Sequence, residues 1–175
     1  MTGIFCSCQN DLATVDEITQ ENEGAFQTIT NGEFLFWEGN RLKNKMEAGL
    51  LKQYAGTDQR VEIDSILKLH FYDQNKHEQA LLTSKMGLFI EKDGYMEARD
   101  SVVFVNDKGE KLLTELLIWE QDSATVYTNQ PITVYRSDGV IFGDGLIANE
   151  NFSQYQIINP RGEIYVQSDT LRNEP

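Results

Sequence analysis

Gly109–Glu120 reads GEKLLTELLIWE and Gly139–Glu150 reads GVIFGDGLIANE, two similar stretches thirty residues apart. The segments ahead of them match too, DSVVFVNDK (Asp100–Lys108) against QPITVYRSD (Gln130–Asp138). At this offset Val102 falls on Ile132, Phe104 on Val134, Leu112 on Phe142 and Leu116 on Leu146. A fainter copy, LLTSKMGLF at Leu81–Phe89, resembles LLTELLIWE at Leu112–Glu120. Repetition of a two-strand unit of this length implies stacked units, each burying its apolar face on the next.

Outward from the repeat, apolar residues alternate with period two, which places them on one face of a strand. Met96, Ala98, Val102 and Phe104 form one such set, broken at Asp100; Val126, Thr128, Ile132 and Val134 form the equivalent set, broken at Gln130. A polar residue at the same place in both copies marks a bend or bulge. Leu67, Leu69 and Phe71 share a side, and Leu42, Met46, Ala48 and Leu50 alternate with charged residues. GEFLFWEG (Gly32–Gly39) reads as a short buried strand. Between these runs lie DQNKH, EKDG, NDKG, RSDG and NPRG, which carry the Asp/Asn/Gly chemistry of turns. The expected fold over 25–166 is all-β, a sandwich, a barrel or a solenoid-like stack, with the repeat favouring an open, elongated arrangement; a leader at 1–24 with at most a short helical turn precedes it and a polar tail at 167–175 follows. Each copy is expected to form one layer of it.

Composition narrows the function. The 175 residues fit one domain. A net charge of −13 repels phosphate backbones and anionic lipid surfaces, so neither nucleic acid nor charge-driven membrane attachment is expected. Catalytic signatures are missing from the reading. A cupin-type metal site needs clustered histidines, and His70 and His77 are the whole supply; both are expected to be solvated. No G-x-S-x-G elbow is present, and Cys6 and Cys8 lie together at the N-terminus. GDG at Gly143–Gly145 lacks the lysine of a phosphate loop, which leaves Gly143 and Gly145 as structural glycines at a bulge or close backbone approach. No enzyme, metal or cofactor is expected. Cys8, after Phe5, Cys6 and Ser7 and before an acidic run, is a candidate lipid anchor, dependent on sequence upstream of Met1.

GYMEARDSVVFV (Gly94–Val105), KLLTELLIW (Lys111–Trp119) and PITVYRSDGVIFGDGLIAN (Pro131–Asn149) resemble the LptC family, over roughly Gly32 to Val166. The resemblance implies an open β-jellyroll whose sheets part around lipid A acyl chains. It also implies no catalytic residue, an inner-membrane ABC transporter as the source of lipopolysaccharide, and an LptA-like periplasmic bridge as its recipient. The expected location is the periplasmic side of the inner membrane, tethered there. The apolar face of Leu67, Leu69, Phe71, Met96, Ala98, Val102, Phe104, Val126, Ile132 and Val134 is then the expected lipid path. Each methylene withdrawn from water is worth about 0.8 kcal/mol, which makes acyl chains a suitable cargo for an acidic protein with apolar strand faces. An open sheet also has edges that accept partner strands, and the edge expected to meet the bridge is at Gln156, Ile157, Ile164 and Val166. Two other readings stay open: a soluble LptA/OstA-like bridge, and a β-structured scaffold with a filled core and no lipid.

Overall fold

A computed structural model describes residues 25–164 apart from 57, 58 and 151. The leader at 1–24 with Cys8, the tail at 167–175 and Val166 lie outside the described residues. Thirteen strands follow in order: β1 (Gln27–Glu38), β2 (Arg41–Gln53), β3 (Arg60–Tyr72), β4 (Glu78–Ser84), β5 (Met86–Ile90), β6 (Tyr95–Asn106) and β7 (Lys111–Glu120), then β8 (Thr125–Thr128), β9 (Ile132–Arg136), β10 (Gly139–Gly143), β11 (Gly145–Asn149), β12 (Tyr155–Ile158) and β13 (Arg161–Ile164). All belong to one sheet, with antiparallel pairing throughout.

The long strands change partners halfway. The first part of β3 pairs with β5 and the second with β4; β6 divides between the same two strands. β7 gives its first residues to β9 and its last to β8. The sheet is therefore creased into two walls. One holds the later halves of β3 and β6 with β4, the start of β7, β9, β10 and β13. The other holds the earlier halves of β3 and β6 with β5, the end of β7, β8, β11 and β12.

The crease has a backbone signature. Asn31, Ser65, Ile66, Asp100, Ser101 and Asn159 lie on it with φ values from 48° to 81°, the left-handed region that non-glycine residues enter only at a cost. Hydrogen bonds cross it without a gap: Ile66 N–H to Lys85 O (3.1 Å), Lys85 N–H to Asp100 O (3.0 Å) and Asp144 N–H to Ile158 O (2.9 Å). Buried hydroxyls finish the inner side. Ser84 Oγ donates to Met86 O (2.8 Å) and Thr114 Oγ1 to Pro131 O (3.2 Å), while Thr128 Oγ1 accepts from Gln130 N–H (3.1 Å). The interruptions at Asp100 and Gln130 are thus points where a strand passes from one wall to the other.

Several expectations are corrected. A repeat unit is not one layer; each crosses the crease and serves both walls. The thirty-residue match holds from Met96/Val126 to Phe104/Val134 but slips by one afterwards. Leu112 pairs with Val134, which pairs with Ile141, so Ile141 takes the inward place and Phe142 lies outside, 47% exposed. The connection between β9 and β10 is tighter than that between β6 and β7, and it absorbs the residue. GEFLFWEG belongs to a twelve-residue edge strand, with Leu35, Phe36 and Trp37 exposed rather than buried. A register shift between Ala48 and Leu50 moves the buried position to Leu51. NPRG is a crease crossing between β12 and β13, not a hairpin turn.

Gly49 sits where β2 passes β3 at the crease. A Cβ there would lie 1.8 Å from the Ser65 carbonyl oxygen, whereas one at Gly39, which unlike Gly49 sits at positive φ (61°), meets nothing within 4 Å. Gly49→Ala is expected to destabilise by more than about 3 kcal/mol and Gly39→Ala by about 1 kcal/mol. Thermal unfolding of the two variants checks this, and equal losses would contradict the close approach.

Candidate functional site: the slot between the walls

Cross-strand pairing lines up one inward residue per strand. On the first wall the row runs Phe34, Met46, Leu69, Leu82, Phe104, Leu112, Val134, Ile141, each opposite the next on the neighbouring strand. Eight consecutive strands supply a hydrophobic residue without interruption. On the second wall Val61, Phe89, Met96, Trp119, Val126, Ala148 and Tyr155 form the facing row. Nearer the crease lie Ala48, Leu67 and Ser84 on one side, and Leu51, Ile63, Gly87, Ala98 and Leu117 on the other. Apart from Phe89, Met96 and Tyr155, the two rows meet in a single apolar cluster.

The slot is not uniform along its length. Toward β1, Ile29, Phe34, Met46, Val61, Leu69 and Phe71 are half-buried over a buried floor of Ala48, Leu51, Ile63 and Leu67; Val102, Phe104, Leu112, Leu117, Val126, Val134 and Leu146 farther on are buried, and Ile141, Phe152 and Ile157 at the far end are again half-buried. A cavity of about 40 Å³ remains between Phe104, Leu112 and Val134 on one wall and Leu146, Phe152 and Tyr155 on the other. Phe152, from the loop joining β11 to β12, stacks on Phe104 with ring centroids 4.1 Å apart. Trp119 contributes a buried indole N–H with no acceptor among the described residues, an arrangement costing about 1–3 kcal/mol.

Of the residues expected to line the slot, Leu67, Ala98, Val102, Phe104, Val126, Ile132 and Val134 are buried, and Leu69 and Phe71 are half-buried against the same cluster. Met96 stands in the facing row. Sequence reasoning missed Leu112, Leu117, Trp119, Leu146 and Ala148. Their alternation was available, but it breaks at the crease in β7, where Leu112 and Thr114 give way to Leu117 and Trp119. Phe152 sits in a loop and carries no periodic signal at all.

Gly143 and Gly145 flank the crease between β10 and β11. A Cβ at Gly143 would stand 2.4 Å from Ile157 Cγ2, and one at Gly145 2.7 Å from Thr128 O. Gln156 and Ile157 lie on β12, which among the described residues pairs only with β11 and so forms an edge. Ile164 pairs with Gly139 at the end of β13, the corresponding edge of the first wall. β1 forms the opposite edge, paired among the described residues with β2 alone.

Most charge lies on the outer faces; at the β9 end, however, Glu110 and Lys111 line the small cavity and Arg136 bonds Tyr155. Outside β2 and β3, Glu47 lies 2.8 Å from Lys45 Nζ and 3.2 Å from Lys68 Nζ. Hydrogen bonds from Lys45 and then Lys68 hold its carboxyl at about 2, well below the usual carboxylate range. His70 is not solvated as expected: its side chain is 14% exposed, with Nδ1 2.8 Å from Glu78 and Nε2 3.4 Å from Glu47. His77 is exposed. Among the described residues no three His, Cys, Asp or Glu side chains group as metal ligands do, and no helix is long and apolar enough to cross a membrane.

Residues 14–164 match the family model described as lipopolysaccharide-assembly, LptC-related. No curated protein sequence matches the chain.

Because the folded-state pKa of Glu47 is depressed, its contribution to stability is present above its ordinary value near 4.5 and is lost as pH falls toward 2. With the side chain 31% exposed, solvent screening reduces that contribution to roughly 1–2 kcal/mol. Glu47→Gln should therefore lower the unfolding midpoint at pH 7 and lower it by only about a quarter as much at pH 2.5. An equal loss at both pH values would contradict the ion-pair origin.

Proposed function

The chain belongs to the LptC-related family, and we propose that it carries lipopolysaccharide by holding lipid A acyl chains in the slot between its two walls. Membership places it in lipopolysaccharide transport, in a family of transport components rather than enzymes. Its members are periplasmic with an inner-membrane anchor. The finer mechanism is our reading of the fold.

One observation carries it: an unbroken apolar row across eight strands, faced by a second row, with charge reaching the slot at the end near Glu110, Lys111 and Arg136. Hydrocarbon laid along the rows would touch Leu69, Phe71, Phe104 and Val134 from one wall and Met96 and Val126 from the other. Leu67, Ala98, Val102 and Ile132 would form the floor near the crease. Since the cavity is about 40 Å³, little more than a water or two, an acyl chain enters only as the walls part.

The two edges suit the two transfers. The β1 edge, which carries exposed Leu35, Phe36 and Trp37, would meet the inner-membrane ABC transporter. β12 and β13, through Gln156, Ile157, Ile164 and onward to Val166, would receive an LptA-like bridge by strand addition. Cys8 would supply the tether. The small cavity favours one rival reading, a scaffold domain whose core is simply full.

Photo-crosslinking separates the two. A benzophenone amino acid at Leu69, Phe104 or Val134 should form adducts with lipopolysaccharide in cells, whereas at the outward neighbours Val103 and Thr133 it should form none. Absence of adducts at all the inward positions would leave the scaffold reading standing.

A further inference from the structure

We infer that the hairpin of β11 and β12 is a latch across the slot, with the Phe152 ring standing where hydrocarbon would pass. The inference rests on the carrier reading above and adds a control point to it.

Two contacts from this one hairpin reach the opposite wall. Phe152 lays its ring on Phe104, with centroids 4.1 Å and planes 26° apart. Phe104 belongs to the inward row of the first wall and also meets Phe71 edge-on at 6.4 Å. Three residues later, the Tyr155 hydroxyl accepts a hydrogen bond of 3.4 Å from Arg136 Nη1, at the end of β9. Arg136 is itself held by Asp138, through Nε at 2.9 Å and Nη2 at 3.0 Å. The slot's small cavity lies between these two bridges. The inward row runs on from Phe104 through Leu82, Leu69 and Met46 toward β1, so the latch stands at the opposite end of the slot.

The hairpin loop is built to present this ring. Phe152 N–H bonds Asn149 O at 3.0 Å and Glu150 N–H bonds Ala124 O at 3.1 Å. Asn149 Oδ1 accepts from Gln154 N–H at 3.1 Å, and its Nδ2 donates to Ser153 Oγ at 2.8 Å. Within this frame Phe152 takes φ 54°, a conformation in which a large aromatic is strained and Asn or Gly would be at ease. The strain is relieved when the loop moves.

Phe152 therefore acts as an internal substitute for cargo. An acyl chain arriving along Met46, Leu69 and Leu82 meets the ring at Phe104. Displacing it exchanges one apolar contact for another, and the long Arg136–Tyr155 bond yields at small cost. Opening and reclosing are nearly balanced, as a reversible gate requires.

Titrating the purified chain with dansyl-labelled hexadecanoic acid tests this, with thermal unfolding measured on every variant. Phe152→Ala should bind the probe about threefold to tenfold more tightly than wild type, with Phe152→Leu between them and Tyr155→Phe shifted the same way. Unchanged or weaker binding by both folded Phe152 variants, with wild type binding, overturns the latch and leaves the carrier reading intact. If no variant binds, the latch is also overturned, and the photo-crosslinks at Leu69 and Val134 decide whether the carrier reading falls with it.

Discussion

Strands of ten to thirteen residues in this protein have to turn a corner midway without losing their ladder hydrogen bonds, and the architecture follows from how they do it. β3, β6 and β7 each leave one set of partners and take up another at the crease. The cost is met with left-handed backbone at Ser65, Ile66, Asp100 and Ser101, a glycine pressed against a carbonyl at Gly49, and three buried hydroxyls. Because the corner recurs at nearly the same interval along the chain, the inward residues of successive strands fall into register. Two facing rows are the result, and they are the site. A flat sheet made from the same strands would present the same residues to water, where they could not persist.

Much of this was legible from residue order. The period-two runs through Met96–Phe104 and Val126–Val134 identified inward residues, and the polar breaks at Asp100 and Gln130 marked the crossings. The missing part has physical causes. A bulge changes which parity of residue faces in, so Leu50 looked inward where Leu51 is. A turn one residue tighter slides Ile141 into the place that simple alignment gives to Phe142. The aromatic run at Leu35–Trp37 reads like core by composition, yet among the described residues β1 has a neighbour on one side only. Phe152 was beyond reach because a loop residue's partner depends on where the hairpin folds back, which no local periodicity encodes.

Acidity and apolar cargo are reconciled by separation. Most carboxylates sit outside, several in ion pairs such as Glu47 with Lys45 and Lys68 or Asp100 with Lys85, while the described inward rows carry no charge before Arg136. Burial varies along the slot as well: the walls are half-buried at Phe34, Met46 and Leu69, buried through the middle, and half-buried again at Ile141, Phe152 and Ile157. Lipid passing toward β12 would meet a latch and a strand edge on the same hairpin.

The central claim is that the walls part to admit hydrocarbon. Spin labels at Tyr135 and Ile147, exposed on opposite walls, in a chain with Cys6 and Cys8 replaced by Ser, allow their separation to be measured by pulsed electron paramagnetic resonance. The account predicts that the inter-label distance grows when lipopolysaccharide is bound and returns on its removal. An unchanged distance in a chain shown to be loaded with lipid would contradict it.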